Sequence, residues 1–422
     1  MRQQGCAAGS VLQIAPCSHL INIPGSEFTS VEKPIGLAFR ECSARASQLP
    51  RAAKGNAMPD SLTLREIKAR PVVLKLKRPV VARIATLSEW PLVLVDLVTE
   101  EGIVGRSYLE PYIVKSLQYL VPALLDLGEL LRGRSVAPVE LFAAARKSLH
   151  FVGYEGLSLI AASGLDMAAW DALAKAANKP LCVLLGATVG AVRSYNSNGL
   201  WLKEPAAVAA EALELRDEGG FSALKLRQDC HRRPALRSSR GHNHRSHGTA
   251  RWLRRDLAPG CSPLSNACDR RLLFERRQES PDPRAVHFCR GGHAQLAAEL
   301  KTPIQIGENF YGPREMHKAI AQKACDLVMP DFMRIGGVTG WMRAAAIAGA
   351  AGIPISTHLY PEVAAHVMRA TETAHWLEWQ DWADPILERP YEIKDGFLHI
   401  PDTPGVGLEW NEAAVAAHLA SV

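Results

Sequence analysis

The chain has 422 residues, 47% hydrophobic and 22% charged, with no uninterrupted apolar run of 18. A soluble globular protein is expected, long enough for a barrel of about 250 residues plus a smaller partner, and a membrane span is not. The net charge of +6 is uneven: residues 228–290 hold 14 Arg, no Lys and 6 acidic residues, a local +8 that leaves the rest near −2. The basic character therefore belongs to one block and says little about the partners of the whole. Of nine Cys, seven lie in the first 57 residues or in that block; they form no disulfide framework, and the scarcity elsewhere suits a reducing, cytoplasmic setting.

Residues 1–57 show neither helical nor strand periodicity. They read either as a basic presequence, though without a continuous apolar region, or as upstream sequence preceding a start at Met58. From Leu62 the pattern changes. Thr63 to Leu76, Leu92 to Val98 and Ile103 to Leu109, with a turn at Glu101-Gly102, predict a small antiparallel sheet. Val114 to Leu131 and Pro138 to Leu149 read as helices, as does Gly156 to Ala177, which is apolar around most of its circumference. Asp166 and Asp171 in that helix could be ligands, but carboxylates in a buried helix more often brace a neighbouring element.

A second pattern begins near Val192. Ser194 to Leu200 reads as a strand, Ala206 to Glu218 as a helix stopped by Gly219-Gly220, and Phe221 to Leu226 as the next strand, ending Lys225-Leu226-Arg227. Alternation puts Lys225 and Arg227 on one face. Residues 228–292 then break the pattern: they are rich in Arg and His and carry no alternating apolar strand. Arg227 and Glu308 are 81 residues apart, room for two further strand and helix units, and Asp256 and Asp282 divide that interval into steps of 29, 26 and 26. The length suits a barrel and the composition does not. A compensated frameshift explains both, and a rebuilt segment is the alternative. Cys230, Cys261, Cys268 and Cys289 with His242, His244 and His247 allow a zinc reading, but no close Cys pair supports it. An Arg-rich nucleic-acid segment lacks interleaved aromatics.

The periodicity resumes at Ala294. Ile304 to Ile306 leads to Glu308, Leu327 to Met329 to Asp331, Ile353 to Ser356 to His358, and His375 to Leu377 to Glu378, in steps of 23, 27 and 20 residues. Serial β/α units of that length feed a parallel sheet, and in a closed barrel the carboxyl ends of the strands share one mouth. Glu308, Asp331, His358 and Glu378 are therefore expected to converge.

With these residues the motifs Gly307-Glu308-Asn309, Met329-Pro330-Asp331, Ile335-Gly336-Gly337-Val338-Thr339-Gly340-Trp341, Ser356-Thr357-His358-Leu359 and His375-Trp376-Leu377-Glu378 resemble the mandelate racemase branch of the mandelate racemase / muconate lactonizing enzyme family, in the enolase superfamily. The resemblance implies a modified TIM (β/α)-barrel with an N-terminal α+β capping domain, barrel strands 3 and 4 being doubtful. It divides the chain into 1–57, a capping domain at 58–188, a barrel at 189–390, and a segment at 391–422 returning to the capping domain, with Leu408 to Trp410 pairing with its sheet.

It also implies Mg²⁺-dependent abstraction of an α-proton from a small carboxylate substrate, as sugar-acid dehydratase or 2-hydroxy-acid racemase. Neither nucleic acid nor membrane is an expected partner, and a homo-oligomer is expected. Glu308 would bind metal, with Asp256 and Asp282 as the other candidates, and Asn309 would orient it and contact the substrate. His358 would be the base or acid, Asp331 its partner, and Glu378 a protonated donor. Lys225 and Arg227 would bind the substrate carboxylate. Tyr108, in the 108–112 turn, and the loop after Val80 would contact substrate. Relatives usually carry Lys where Arg227 stands; an Arg stays protonated and is a clamp rather than a base, which favours dehydration over two-base racemisation. His366 and His375 read as packing residues. If residues 228–292 are genuine, a family member lacking two metal ligands is the alternative.

Overall fold

Leu64–Val81, Thr86–Thr99 and Val104–Leu109 form an antiparallel three-stranded sheet with the second strand central. The edge strand Leu64–Val81 alternates, while residues 90–99 of the central strand are all buried because both faces are covered. The computed structural model describes residues 61–82, 85–228, 249–254 and 290–421, all within one unit, Asn56–Val422. The leader, Asp256, Asp282 and the Cys/His set of the zinc reading lie outside the described residues.

Helices Leu117–Leu131, Pro138–Ser148 and Leu157–Ala176 follow the sheet. The last is long and apolar enough by composition to cross a membrane, but most of it is buried inside the protein. Its small residues allow close approach: a Cβ on Gly105 would fall 2.0 Å from the Ala168 carbonyl oxygen, so strand Val104–Leu109 can meet this helix only through glycine. Asp166 and Asp171 brace, as expected. Asp166 Oδ2 accepts the Thr339 N–H at 2.9 Å. Asp171 accepts the N–H groups of Arg106 and Val406 and pairs with Lys175 at 2.8 Å.

The other half is a run of parallel neighbours. Gln305–Ile306 pairs with Leu327–Val328, Val328 bridges Ile355, and Ile355 bridges Ala374. Leu377–Trp379 pairs with Ser194 to Asn196 of strand Ala191–Asn196, which pairs in turn with Ala223–Gln228. This is the curled sheet expected of the barrel, with its carboxyl edges on one side. The anomalous block departs from the expectation in one place: Thr249–Arg254 is a strand, and it pairs antiparallel with Ala223–Gln228 over its full length. A barrel requires a parallel neighbour at that position.

The C-terminal segment also departs from expectation. Trp410 bridges Leu387 rather than the capping sheet, and strand Phe397–His399 pairs with the barrel strand Ala191–Asn196. The return to the capping sheet is made by side chains and by the last residues. Trp410 Nε1 donates to Asp96 Oδ1 at 2.7 Å, Arg70 binds Glu412, and Leu419 bridges Val72.

His366, on helix Pro361–Arg369, is fully buried where these parts meet. Its Nδ1 accepts the Cys182 N–H at 3.1 Å, and its Nε2 stands 2.9 Å from the Tyr391 hydroxyl, whose own proton goes to the Val406 carbonyl. This assigns the neutral Nε2–H tautomer with both nitrogens satisfied. Burial lowers its pKa from 6.5 to about 4. A depressed folded-state value means that the stabilisation is present above pH 6.5 and is lost as pH falls toward 4. Wild type should lose about 3 kcal/mol more than His366→Gln over that window. Urea unfolding at stepped pH measures it, and equal acid slopes in the two proteins would refute the assignment.

Candidate active site

Glu308, Asp331, His358 and Glu378 do converge at the carboxyl edge. Asp331 begins the short helix Phe332–Ile335, and its Oδ1 accepts the Met333 N–H at 2.9 Å as an N-cap. That leaves Oδ2 for His358 Nδ1, 2.7 Å away. The two residues also form a parallel backbone bridge, which sets their side chains abreast. On the other side of the ring, His358 Nε2 lies 3.2 Å from Glu308 Oε2 and 3.8 Å from Glu378 Oε2. Burial opposes charge on the imidazole, but the charge of Glu378 and the bonds to Asp331 and Glu308 outweigh it and raise its pKa to about 9.

Glu378 closes the opposite side. Its Oε1 accepts from Lys225 Nζ and Ser197 Oγ, both at 2.7 Å, and its Oε2 accepts the Leu359 N–H at 3.0 Å. Burial alone would push this carboxyl up, yet the charges of Lys225 and His358 and these bonds hold it well below the usual carboxylate range. The expectation of a protonated Glu378 is thus corrected: the group is a carboxylate because a buried lysine faces it. Lys225 is accordingly committed to Glu378 rather than standing free.

Arg227 donates to the Gly199 carbonyl at 3.1 Å and to Ser197 Oγ at 3.2 Å, and it lies 3.4 Å over the Trp201 ring. Burial lowers its pKa to about 10, which still leaves it cationic at neutral pH. An aromatic chain continues from it: Trp201 stacks on Trp382 at 6.3 Å, Trp382 meets Trp90 at 4.3 Å, and Trp90 meets Tyr112 edge-on at 5.4 Å. The capping sheet and the barrel edge share this rim.

Two residues named from sequence do not take their expected places. Tyr108 is buried, and its hydroxyl donates to Glu362 Oε2 at 2.6 Å, so it faces the interior rather than a substrate. Asn309 is exposed; the groups that fix Glu308 are His358 and Arg334, whose Nη1 donates to the Glu308 carbonyl at 2.9 Å and to the Tyr112 hydroxyl at 3.1 Å. Arg334 escaped the sequence reading because nothing in the pattern separates it from a solvated helix Arg. Ser197 and the Leu359 N–H escaped it because neither a serine nor a backbone amide carries a spacing signal.

Hard divalent ions of the Mg²⁺ type prefer carboxylate oxygens, and Glu308 fits one ligand position. Half of its side chain is exposed, while its carboxylate end sits deep enough for desolvation to oppose ionisation. The bond to His358, the charge of His358 and the charge of Lys225 outweigh that and hold it at about 2. Among the described residues no group of three His, Cys, Asp or Glu side chains is arranged to hold an ion. The other two predicted ligands fall outside them.

A parallel β/α sheet whose carboxyl edge carries a His–Asp pair, a buried Lys–Glu pair and an ionised carboxylate is arranged for proton transfer at a strand-end mouth. Comparison with known proteins makes this specific. Residues 64–186 match the mandelate racemase / muconate lactonizing enzyme N-terminal domain, and residues 283–414 match the enolase C-terminal domain-like family. A magnesium-bound enolase from the alpha proteobacterium bal199 is 54% identical, covering 85% of this chain and 100% of that one, with a TM-score of 0.73. A Bradyrhizobium enolase solved with magnesium and mandelic acid is 32% identical, covering 86% and 100%, with a TM-score of 0.69. L-talarate/galactarate dehydratase of Salmonella typhimurium is 31% identical over 278 residues, 62% of this chain and 66% of that protein. The chain belongs to the mandelate racemase / muconate lactonizing enzyme family of the enolase superfamily, whose ion is Mg²⁺ and whose members are lyases and isomerases. Between them the two matches leave residues 187–282 uncovered, the interval that holds all but the last ten residues of the anomalous block.

Two outcomes are expected. Lys225→Met leaves Glu378 buried without its cation and should cost about 3–5 kcal/mol of unfolding free energy; a loss below about 1 kcal/mol in urea titration would show that the pair is not the seam of the site. Glu308→Gln should weaken Mg²⁺ binding by at least about tenfold in calorimetric titration, and unchanged affinity would remove Glu308 from the ligand set.

Proposed function

We propose that this chain dehydrates a sugar acid, with His358 as the only general base beside the substrate among the described residues. The observation that carries this reading is the asymmetry of the mouth. On one side His358 is oriented by Asp331 through Nδ1, which leaves Nε2 to exchange a proton. On the other side the cations are Lys225, bound to Glu378, and Arg227, which stays charged. Racemisation needs a base on both faces of the α-carbon; elimination needs one group that takes a proton and then returns it.

His358 Nε2 removes the proton from the carbon bearing the 2-hydroxyl as the bond to the 3-hydroxyl breaks. The resulting imidazolium, favoured by the surrounding carboxylates, delivers its proton to the departing oxygen. Water leaves, and the enol becomes a 2-keto-3-deoxy acid. Lys225 and Arg227 supply positive charge toward the substrate carboxylate, and Ser197 orients both Arg227 and Glu378. Glu308 would hold Mg²⁺, which would supply positive charge against the negative charge developing on that carboxylate. Among relatives, the talarate/galactarate dehydratase, the D-gluconate dehydratase of Thermoproteus tenax (26% identical) and the D-galactonate dehydratase of Variovorax paradoxus (26% identical) support a sugar-acid substrate.

The test is a panel of sugar acids incubated with Mg²⁺ in D₂O and followed by proton NMR. Keto-acid product should form, and His358→Asn should slow loss of the α-proton by about 10²–10⁴-fold. The rate should rise with pH, because the base works deprotonated. Efficient interconversion of 2-hydroxy-acid enantiomers without keto acid would overturn the assignment.

A further inference from the structure

The chain turns directly after His358 through two consecutive left-handed residues, Leu359 at φ 55° and Tyr360 at φ 56°. Neither is glycine, and an L side chain enters this region only at a cost. Such strain persists where the surroundings over-determine it. The following residue is Pro361, the first of helix Pro361–Arg369, and Tyr360 is its N-cap without a capping side chain. Local sequence therefore does not account for the conformation.

Tertiary contacts do. The Tyr360 ring is fully buried, stacked on Tyr108 at 5.3 Å and met edge-on by Phe332 at 6.1 Å. Its hydroxyl accepts the backbone N–H of Glu110 at 3.0 Å. Tyr108 and Glu110 belong to the capping half, and Trp90 Nε1 fixes the Glu110 side chain at 2.6 Å. The left-handed pair aims the Leu359 N–H at Glu378 Oε2 and leaves His358 between Asp331 and Glu308. Tyr360 touches none of the reacting groups. It connects the capping sheet to the turn that carries them.

We propose that Tyr360 is a positioning residue: anchored to the capping half through the Glu110 N–H and the Tyr108 ring, it holds the left-handed turn that sets His358 on Asp331. A tyrosine without this task needs only a packed ring; this one spends its hydroxyl on a backbone donor of the other half while its own backbone is strained. The proposal rests on the reading of His358 as the proton-transfer group, but its signature is structural and needs neither substrate nor metal.

The readout is the imidazole proton shared by His358 Nδ1 and Asp331, a downfield proton NMR signal assigned by its absence in His358→Asn. Tyr360→Phe keeps the ring and removes only the hydroxyl, so the protein should fold. Exchange of that proton with solvent should become about tenfold faster, the scale of one lost hydrogen bond. Tyr391→Phe is the control: it removes a buried hydroxyl from the His366 contact, lowers thermal stability, and should leave the His358 signal unchanged. The proposal fails if Tyr360→Phe leaves the exchange rate unchanged, or if Tyr391→Phe changes it equally, because the effect would then follow global stability. If the His358 proton responds as expected but no sugar acid is dehydrated, the positioning role stands and the functional reading falls.

Discussion

A buried lysine at the end of a barrel strand requires a carboxylate, and much of this site follows from that requirement. Lys225 and Glu378 stand on strands either side of Ala191–Asn196, so their ion pair spans the strand between them. Once Glu378 is ionised, its second oxygen can accept the Leu359 N–H, which fixes the start of the turn after His358. Its charge also reaches the imidazole and favours the protonated ring. One electrostatic constraint thus links the first strands of the barrel half, the last, and the His–Asp pair.

The capping half completes what the barrel half begins. Tyr112 receives a bond from Arg334, Tyr360 receives one from the Glu110 backbone, and Trp90 sits in the aromatic chain that ends at Arg227. These contacts cross between segments separated by some 220 to 250 positions. The acidic residues of the long helix serve the same end: Asp166 holds the first turn of helix Gly337–Ala350 through Thr339, and Asp171 holds strand Val104–Leu109 through Arg106 and the loop at Val406. A mouth formed by strand ends is open by construction, and a second layer is what excludes water from it.

The described part of the anomalous block alters one edge of this frame. Thr249–Arg254 occupies the edge beside Ala223–Gln228 with the opposite polarity to a barrel strand. Backbone hydrogen bonding at an exposed edge accepts either direction, because strand pairing satisfies donors and acceptors both ways. Side-chain chemistry is less tolerant, since metal ligands must arrive at the carboxyl edge and an antiparallel strand ends at the other.

Much was already legible in the sequence. The steps between Glu308, Asp331, His358 and Glu378 gave their convergence, because the length of a β/α unit is nearly constant and every parallel strand ends on the same side. The bracing roles of Asp166 and Asp171 followed from carboxylates in an apolar helix. The charge of Glu378, the burial of Tyr108, the bonds of Arg334 and the left-handed turn at Leu359 and Tyr360 were not legible. Each depends on a partner distant in the chain and on the dielectric around it, and neither leaves a period in the sequence. Periodicity determined which residues reach the mouth; tertiary packing decided their protonation and their partners, because ionisation and hydrogen bonding respond to what surrounds a group rather than to what precedes it.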